Sequence, residues 1–205
     1  MASLTPSDDK QVQLVSQETP YQGYFRLDRF ELRHSLHAGG WTPILVRELF
    51  ERGNTAVVLP YDPQRDTVVL VEQFRIGAYA AGLSPWLSEA VAGIIETGEA
   101  AEDVVRRESM EEANCPLQDL VTIGRFVMSP GASSETCSMF CGRIDSAGVG
   151  GIHGVVEEGE DIKATVQPAD YAIKQVLSGE IVSAYAVILL LWLAAKREEL
   201  RTRWA

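Results

Sequence analysis

The sequence predicts an α/β protein: a mixed β-sheet sandwiched between helices, with a small antiparallel β lobe at the N-terminus. Three observations predict it. Strand-type apolar runs lie on both sides of one central stretch, residues 100–113, which has no Gly or Pro and is rich in Ala, Glu, Arg and Met. The chain closes on helical stretches over residues 169–177 and 183–203. Before residue 53 come partly alternating runs joined by the hairpin signal Gly39-Gly40.

Composition narrows the class. The chain has 205 residues, room for one or two domains with an ample core. At 46% hydrophobic and 23% charged residues it is globular rather than disordered. A net charge of −11 argues against a nucleic-acid partner, which needs a basic surface. It leaves room for a small anionic substrate in a site lined by cations. The cysteines Cys115, Cys137 and Cys141 have no zinc spacing, and their odd number is no disulfide framework. They read as reduced buried thiols of a cytoplasmic protein, with Cys137 and Cys141 on one strand face.

In chain order, residues 1–10 are polar and read as a flexible tail without a signal peptide. Residues 12–15, 24–33 and 41–50 read as three strands of an N-terminal β lobe spanning 11–52. Three strands this small carry little core of their own, so the lobe is expected to pack on something else, such as a second subunit. The remaining domain, 53–205, opens with buried-type strands at 55–60 and 67–73, joined by the turn Asp62-Pro63-Gln64-Arg65-Asp66. Residues 86–93 lead into the central helix. Strands follow at 120–127 and 137–144, separated by a small polar loop at 129–135. Residues 148–161 turn from glycine-rich to acidic, and 162–166 is a short strand. The apolar run 184–195 is too short to span a bilayer and reads as a core helix, so no membrane partner is expected.

The central helix carries the chemistry. At about 100° per residue, Ala101, Val104, Val105, Glu108, Glu111 and Glu112 share one arc of roughly a third of a turn. The valines call for burial, yet three like charges crowd beside them, so something positive must join them. A hard divalent cation with oxygen ligands, Mg²⁺ or Mn²⁺, fits. The structural alternative is a solvated acidic face in which Arg107 pairs with Glu111. Glu102 and Asp103 suit the helix start, and Asn114 suits a left-handed cap.

The same residues carry a resemblance. Gly93, Glu99, Arg107-Glu108 and Glu111-Glu112 stand in the spacing of the Nudix box, G-x5-E-x7-R-E-U-x-E-E-x-G-U. Three positions depart from it: Ser109 and Cys115 stand for aliphatic residues, and Asn114 for Gly. The chain resembles the ADP-ribose pyrophosphatase branch of the Nudix hydrolases along most of its length. Residues 21–25, 46–53, 72–76, 129–131 with Glu135, and 151–154 are the segments concerned. The resemblance implies the Nudix α/β/α fold and Mg²⁺-dependent hydrolysis of ADP-ribose to AMP and ribose 5-phosphate. It also implies a homodimer that exchanges N-terminal lobes.

Residue by residue, the resemblance implies that Ala92 (backbone carbonyl), Glu108, Glu112 and Glu160 hold metal, with Glu111 beside them. It makes Glu158, in the acidic loop, the general base; the structural alternative for that loop is a solvated turn. Gly93, Glu99 and Arg107 take structural or orienting roles, with a water-mediated metal ligand as the alternative for Glu99. Arg52 and Arg75 are candidates for the two phosphates, since guanidinium suits phosphate. Tyr24, Arg47, Glu48, Ile94, Ser129 and Glu135 are candidates for the rest of the substrate. Against these stand plain readings: Tyr24 as a core or interface aromatic, and each arginine as a surface ion pair. Three rivals remain. One is a hydrolase of another nucleoside diphosphate sugar. Another is a sensor that binds ADP-ribose without cleaving it, which the intact glutamate set speaks against. The third is a Ca²⁺ scaffold, for which no D-x-D-x-D-G loop exists.

Overall fold

A computed structural model describes residues 10–205, apart from the side chain of Glu158; the tail expected over 1–10 lies, except for Lys10, outside the described residues. The chain divides into two compact units. The first runs to Asn54 and takes in Val127–Thr136, and the second is Thr55–Phe126 with Cys137–Ala205.

The first unit is an antiparallel meander in the order β1-β2-β3, with β1 at Val12–Gln22, β2 at Arg26–His34 and β3 at Leu45–Glu51. β1 runs beyond the expected 12–15. β2 begins at Arg26 rather than Tyr24, because Gly23 N donates to Phe25 O (2.9 Å) and turns the chain there. Gly39 and Gly40 make the expected turn with φ of +85° and +81°, values that favour glycine. Residues 127–136 dock onto the end of β3: Phe50 N donates to Ala132 O (2.7 Å), and Thr136 N donates to Asn54 Oδ1 (3.0 Å). Among the described residues of this unit, the buried ones are Asp28, Ser133 and Glu135, none of them apolar. Every residue of β1 is exposed. The meander therefore lacks the hydrophobic core that stabilises a sheet of this size.

The second unit holds the core. Its strands are β4 (Thr55–Asp62), β5 (Thr67–Phe74), β6 (Trp86–Glu89), β7 (Val91–Ile94), β8 (Asp119–Val127), β9 (Thr136–Arg143), β10 (Gly151–His153) and β11 (Ile162–Pro168). They form one mixed sheet in the order β10-β11-β5-β4-β9-β8, with β6 on β5 and β7 on β4. The β4–β9 pair is parallel, whereas β5, β7 and β11 pair antiparallel. Every residue of β4 is buried, so both faces of the sheet are covered there. On one face Ala56 and Val58 pack with Val104 and Val105 of α2 (Ala101–Ala113). Residues of β4 alternate, so Val57 and Leu59 face the other layer, where α3 (Ala169–Ser178) and α4 (Ala184–Arg203) lie. This is the expected sandwich.

Two short elements were not legible as such: α1 (Ile76–Ala80) and β10, the latter inside the glycine-rich start of residues 148–161. No helix among the described residues is long and apolar enough to cross a membrane. All three cysteines are free and buried, and burial pushes the Cys115 thiol up to about 12.

Candidate active site

Strand β7 runs into a turn and then α2, and this strand–turn–helix unit places the acids. The helix ends as its sequence requires: Asn114 takes the left-handed conformation (φ 45°, ψ 46°), its N–H bonds to Met110 O, and Cys115 N bonds to Ser109 O. Ser109, where the box has an aliphatic residue, is fully buried and its hydroxyl donates to Arg106 O (3.1 Å). Cys115 is buried as a small hydrophobe.

Gly93 is where the strand meets the helix. A Cβ there would stand 2.0 Å from Glu108 Oε1 and 2.5 Å from Glu108 Cγ, so only glycine leaves that carboxylate its place. Glu112 lies deepest, at 3% exposure. Its Oε2 accepts from Ala92 N (3.2 Å) and its Oε1 from Gln73 Nε2 (3.3 Å). Burial pushes Glu112 up to about 8. The Ala92 N–H and the Arg75 charge oppose the rise, and the Glu108 and Glu160 charges add to it. Burial likewise pushes Glu108 up to about 6, against the pull of Arg107 and with the help of Glu111 and Glu160.

Arg107 bridges the outer acids. It reaches Glu108 (2.8 Å), Glu111 (3.0 Å) and Glu99 (3.4 Å). Burial works against its charge, but the three carboxylates, Glu108 foremost, hold the guanidinium more firmly protonated than usual. Glu99 also accepts from Glu96 N (3.3 Å), closing the turn before α2. Gly154 N ties the acidic loop to the helix end by donating to Glu111 O (3.2 Å), and within the loop Glu160 Oε2 accepts from Val155 N (2.9 Å). Glu158 ends the short 3-10 turn Val156–Glu158, and its side chain lies outside the described residues. Among the described residues no three acidic, His or Cys side chains are drawn into a closed metal cage.

The donor set nevertheless fits a divalent cation. A carboxylate buried with only two neutral donors, beside two further carboxylates that raise its proton affinity, is the environment that a hard cation relieves. The ligands on offer are oxygens throughout.

Arg75 follows β5, and its Nε donates to Glu89 Oε2 (2.5 Å). Ile94, half-buried, ends β7 opposite Thr55. In the first unit, Arg52 forms an ion pair with the buried Glu135 (2.8 Å) and lies over the Phe25 ring (5.8 Å). Tyr24 is 84% exposed and meets Phe25 edge-on (4.7 Å), and Phe25 meets Phe50 (5.1 Å). Tyr24 and Arg52 thus flank Phe25, and Glu135 is joined to them through Arg52. Arg47 and Glu48 are exposed, and Arg47 Nη1 donates to Val46 O (2.8 Å). Ser129 is exposed, with its carbonyl accepting from Ala132 N (3.0 Å) and Ser133 N (2.9 Å).

Sequence reasoning passed over Gln73, Glu89 and Ser183. The signal was a polar or acidic residue inside an apolar strand, and a serine at the start of an apolar helix.

Comparison with known proteins adds to this geometry. A family model described as NUDIX domain matches residues 51–141. The chain is 44% identical over 194 residues to the ADP-ribose pyrophosphatase of Escherichia coli (strain K12), covering 95% of this chain and 93% of that protein. It is 39% identical over 207 residues to the ADP-ribose pyrophosphatase of Haemophilus influenzae, covering 100% and 95%. The GDP-mannose pyrophosphatase of Salmonella typhimurium is 34% identical over 148 residues, covering 72% and 76%. Among solved structures, one titled "Crystal structure of ADP compounds hydrolase" superposes with a TM-score of 0.67 at 16% identity, covering 91% of this chain and 96% of that one. At that identity the likeness concerns the fold alone.

Proposed function

This chain belongs to the Nudix hydrolases, in the branch of the ADP-ribose pyrophosphatases, and on that premise we propose that it hydrolyses the pyrophosphate of ADP-ribose to AMP and ribose 5-phosphate with Mg²⁺, or Mn²⁺ in its place. The observation that carries the metal-dependent reading is the buried carboxylate of Glu112, pushed up to about 8 among further acids.

Glu108, Glu112 and Glu160, with the Ala92 carbonyl and Glu111 beside them, would hold the cation. When bound, it supplies positive charge that shields the pyrophosphate, stabilises the leaving phosphate and makes a water more acidic. Glu158 takes the proton of the attacking water; its place in the acidic loop, free of the inner acid cluster in sequence, supports that role. Arg107 orients Glu108 and Glu111 rather than touching substrate, and Glu99 fixes the turn. Arg75 and Arg52 offer donors to the phosphates. Tyr24, with its exposed ring, stacks on adenine, and Arg47, Glu48, Ile94, Ser129 and Glu135 contact the adenosine or ribose.

The enzyme works as a homodimer that exchanges its N-terminal lobes (11–52), leaving 53–205 as the hydrolase domain. The lobe's lack of a buried apolar residue and its exposed Val12, Leu14, Val15, Trp41, Ile44 and Val46 support this. Its place is the cytoplasm, supported by three reduced, buried cysteines. A second substrate reading, another nucleoside diphosphate sugar, is favoured by the likeness to the GDP-mannose pyrophosphatase.

The test is product analysis after incubation with ADP-ribose, with Mg²⁺ or with a chelator. AMP and ribose 5-phosphate are expected with metal only. Binding without cleavage would replace the hydrolase by a sensor, and preferential cleavage of GDP-mannose would replace the substrate.

A further inference from the structure

Arg75 is anchored on both its backbone and its side chain. Arg75 N donates to Pro85 O (2.7 Å), and its carbonyl accepts from Tyr79 N (3.2 Å). Its Nε donates to Oε2 of Glu89, the last residue of β6, which is 7% exposed. The other carboxylate oxygen, Oε1, accepts from Ser183 Oγ (3.0 Å).

Ser183 is the N-cap residue of α4, yet its side chain makes no capping hydrogen bond. Serine in that position ordinarily accepts a backbone N–H of the first turn, which is worth about 1 kcal/mol to the helix. Here the hydroxyl donates to a carboxylate in another layer instead. A local preference given up in this way is the mark of a site rather than of a scaffold.

The geometry at the arginine agrees. The bond to Glu89 uses Nε, and among the described residues Nη1 and Nη2 of Arg75 have no hydrogen-bond partner. The side chain is 41% exposed. A guanidinium is planar, so fixing Nε and the backbone fixes the plane in which the two terminal nitrogens point. A mere surface ion pair has no need of a buried carboxylate held on both oxygens.

We propose that Glu89, steadied by Ser183, is a positioning residue that fixes the plane of the Arg75 guanidinium so that Nη1 and Nη2 meet a phosphate of the nucleoside diphosphate substrate. This rests on the reading of Arg75 as a phosphate donor given above.

The experiment is a double-mutant cycle on the full chain with Mg²⁺ and ADP-ribose, reading KM and kcat. ADP-ribose Kd, measured calorimetrically in EDTA, is the second readout. Arg75→Ala raises KM. Glu89→Gln keeps shape and hydrogen bonding but loses the charge; it raises KM about tenfold with kcat within about threefold. Added to Arg75→Ala, Glu89→Gln has no further effect beyond about twofold. Ser183→Ala raises KM about threefold; because it leaves Oε1 of the buried Glu89 without its donor, it also lowers the thermal midpoint by a few degrees, and the KM effect vanishes in the Arg75→Ala background, which a merely structural role would not explain. This variant also serves if Glu89→Gln does not fold.

An equal effect of Glu89→Gln in both backgrounds would mean that it acts other than through Arg75, which overturns the proposal. So would an unchanged KM in the single variant when Arg75→Ala raises it; the phosphate role of Arg75 would then stand alone. If Arg75→Ala leaves KM unchanged, the phosphate role itself is wrong and the positioning role goes with it.

Discussion

Glu108 and Gly93 compete for one volume: the carboxylate of the first lies 2.0 Å from where a β-carbon of the second would be. Only the far part of a flexible side chain blocks that position, so Gly93→Ala displaces Glu108 rather than the backbone. The expected stability cost is about 1–3 kcal/mol, with the fold retained. If Glu108 holds metal as proposed, displacing it by about an ångström lowers turnover about a hundredfold. Calorimetric Mn²⁺ binding and steady-state turnover on the folded variant check this; unchanged affinity and rate would remove Glu108 from the metal site.

Glu112 makes the metal-free protein sensitive to alkali. Its ordinary value of 4.5 rises to about 8 on folding, so folding favours its protonated form. The stability tied to that form is complete below about pH 4.5, declines as pH rises, and is gone above about pH 8. Glu112→Gln removes this slope. In EDTA at pH 8 the variant is expected to melt higher than the parent by roughly 5 °C, while its turnover with Mg²⁺ nearly vanishes. Melting curves in EDTA between pH 5 and 8 decide it, and parallel curves for parent and variant would contradict the assignment.

Glu158→Gln separates proton transfer from binding. Loss of a general base is expected to slow turnover by about 10²–10⁴ while ADP-ribose affinity stays close to that of the parent. Equilibrium binding beside single-turnover rates provides the comparison. A collapse of affinity would make Glu158 a ligand instead of a base.

Asp62 governs acid stability. It is buried at the β4–β5 turn and accepts from Gln64 N (2.9 Å), Arg65 N (3.0 Å), Ser146 N (3.0 Å) and Ser146 Oγ (2.8 Å), with Arg65 Nη1 at 2.9 Å. Burial alone would raise its affinity for protons, but these donors outweigh it and hold the carboxyl well below its ordinary 3.8. Its contribution is therefore present above pH 3.8 and is lost as pH falls below it. Asp62→Asn is expected to cost about 2 kcal/mol at pH 7 and much less near pH 2. Urea titrations at the two values measure this, and an equal cost at both would assign the effect to packing.

The sheet layers and α2 were legible because they follow strong periodicities. Val104, Val105 and Glu112 fell on one arc, and all three are buried. The left-handed cap was legible too, since Asn114 is one of two non-glycine residues at positive φ among those described. What escaped was set by tertiary contact. Nothing local tells that Glu89 meets Ser183 from 94 positions away, or that residues 127–136 dock against β3. Strand β10 escaped for a different reason: its three residues take their pairing from β11, and their own composition signals a turn.

The complete burial of β4 has a kinetic consequence. Its amides lie between β5, β7 and β9, under helices on both faces, so their hydrogens exchange with solvent only when the whole second unit opens. Among the described residues, by contrast, one backbone hydrogen bond, from Gly154, fastens the acidic loop to α2. The loop can detach while β4 stays fully protected. With the roles proposed for Glu158 and Glu160 in that loop, loss of activity and loss of structure become separate events, and mild heat or denaturant is expected to silence the enzyme well before it unfolds.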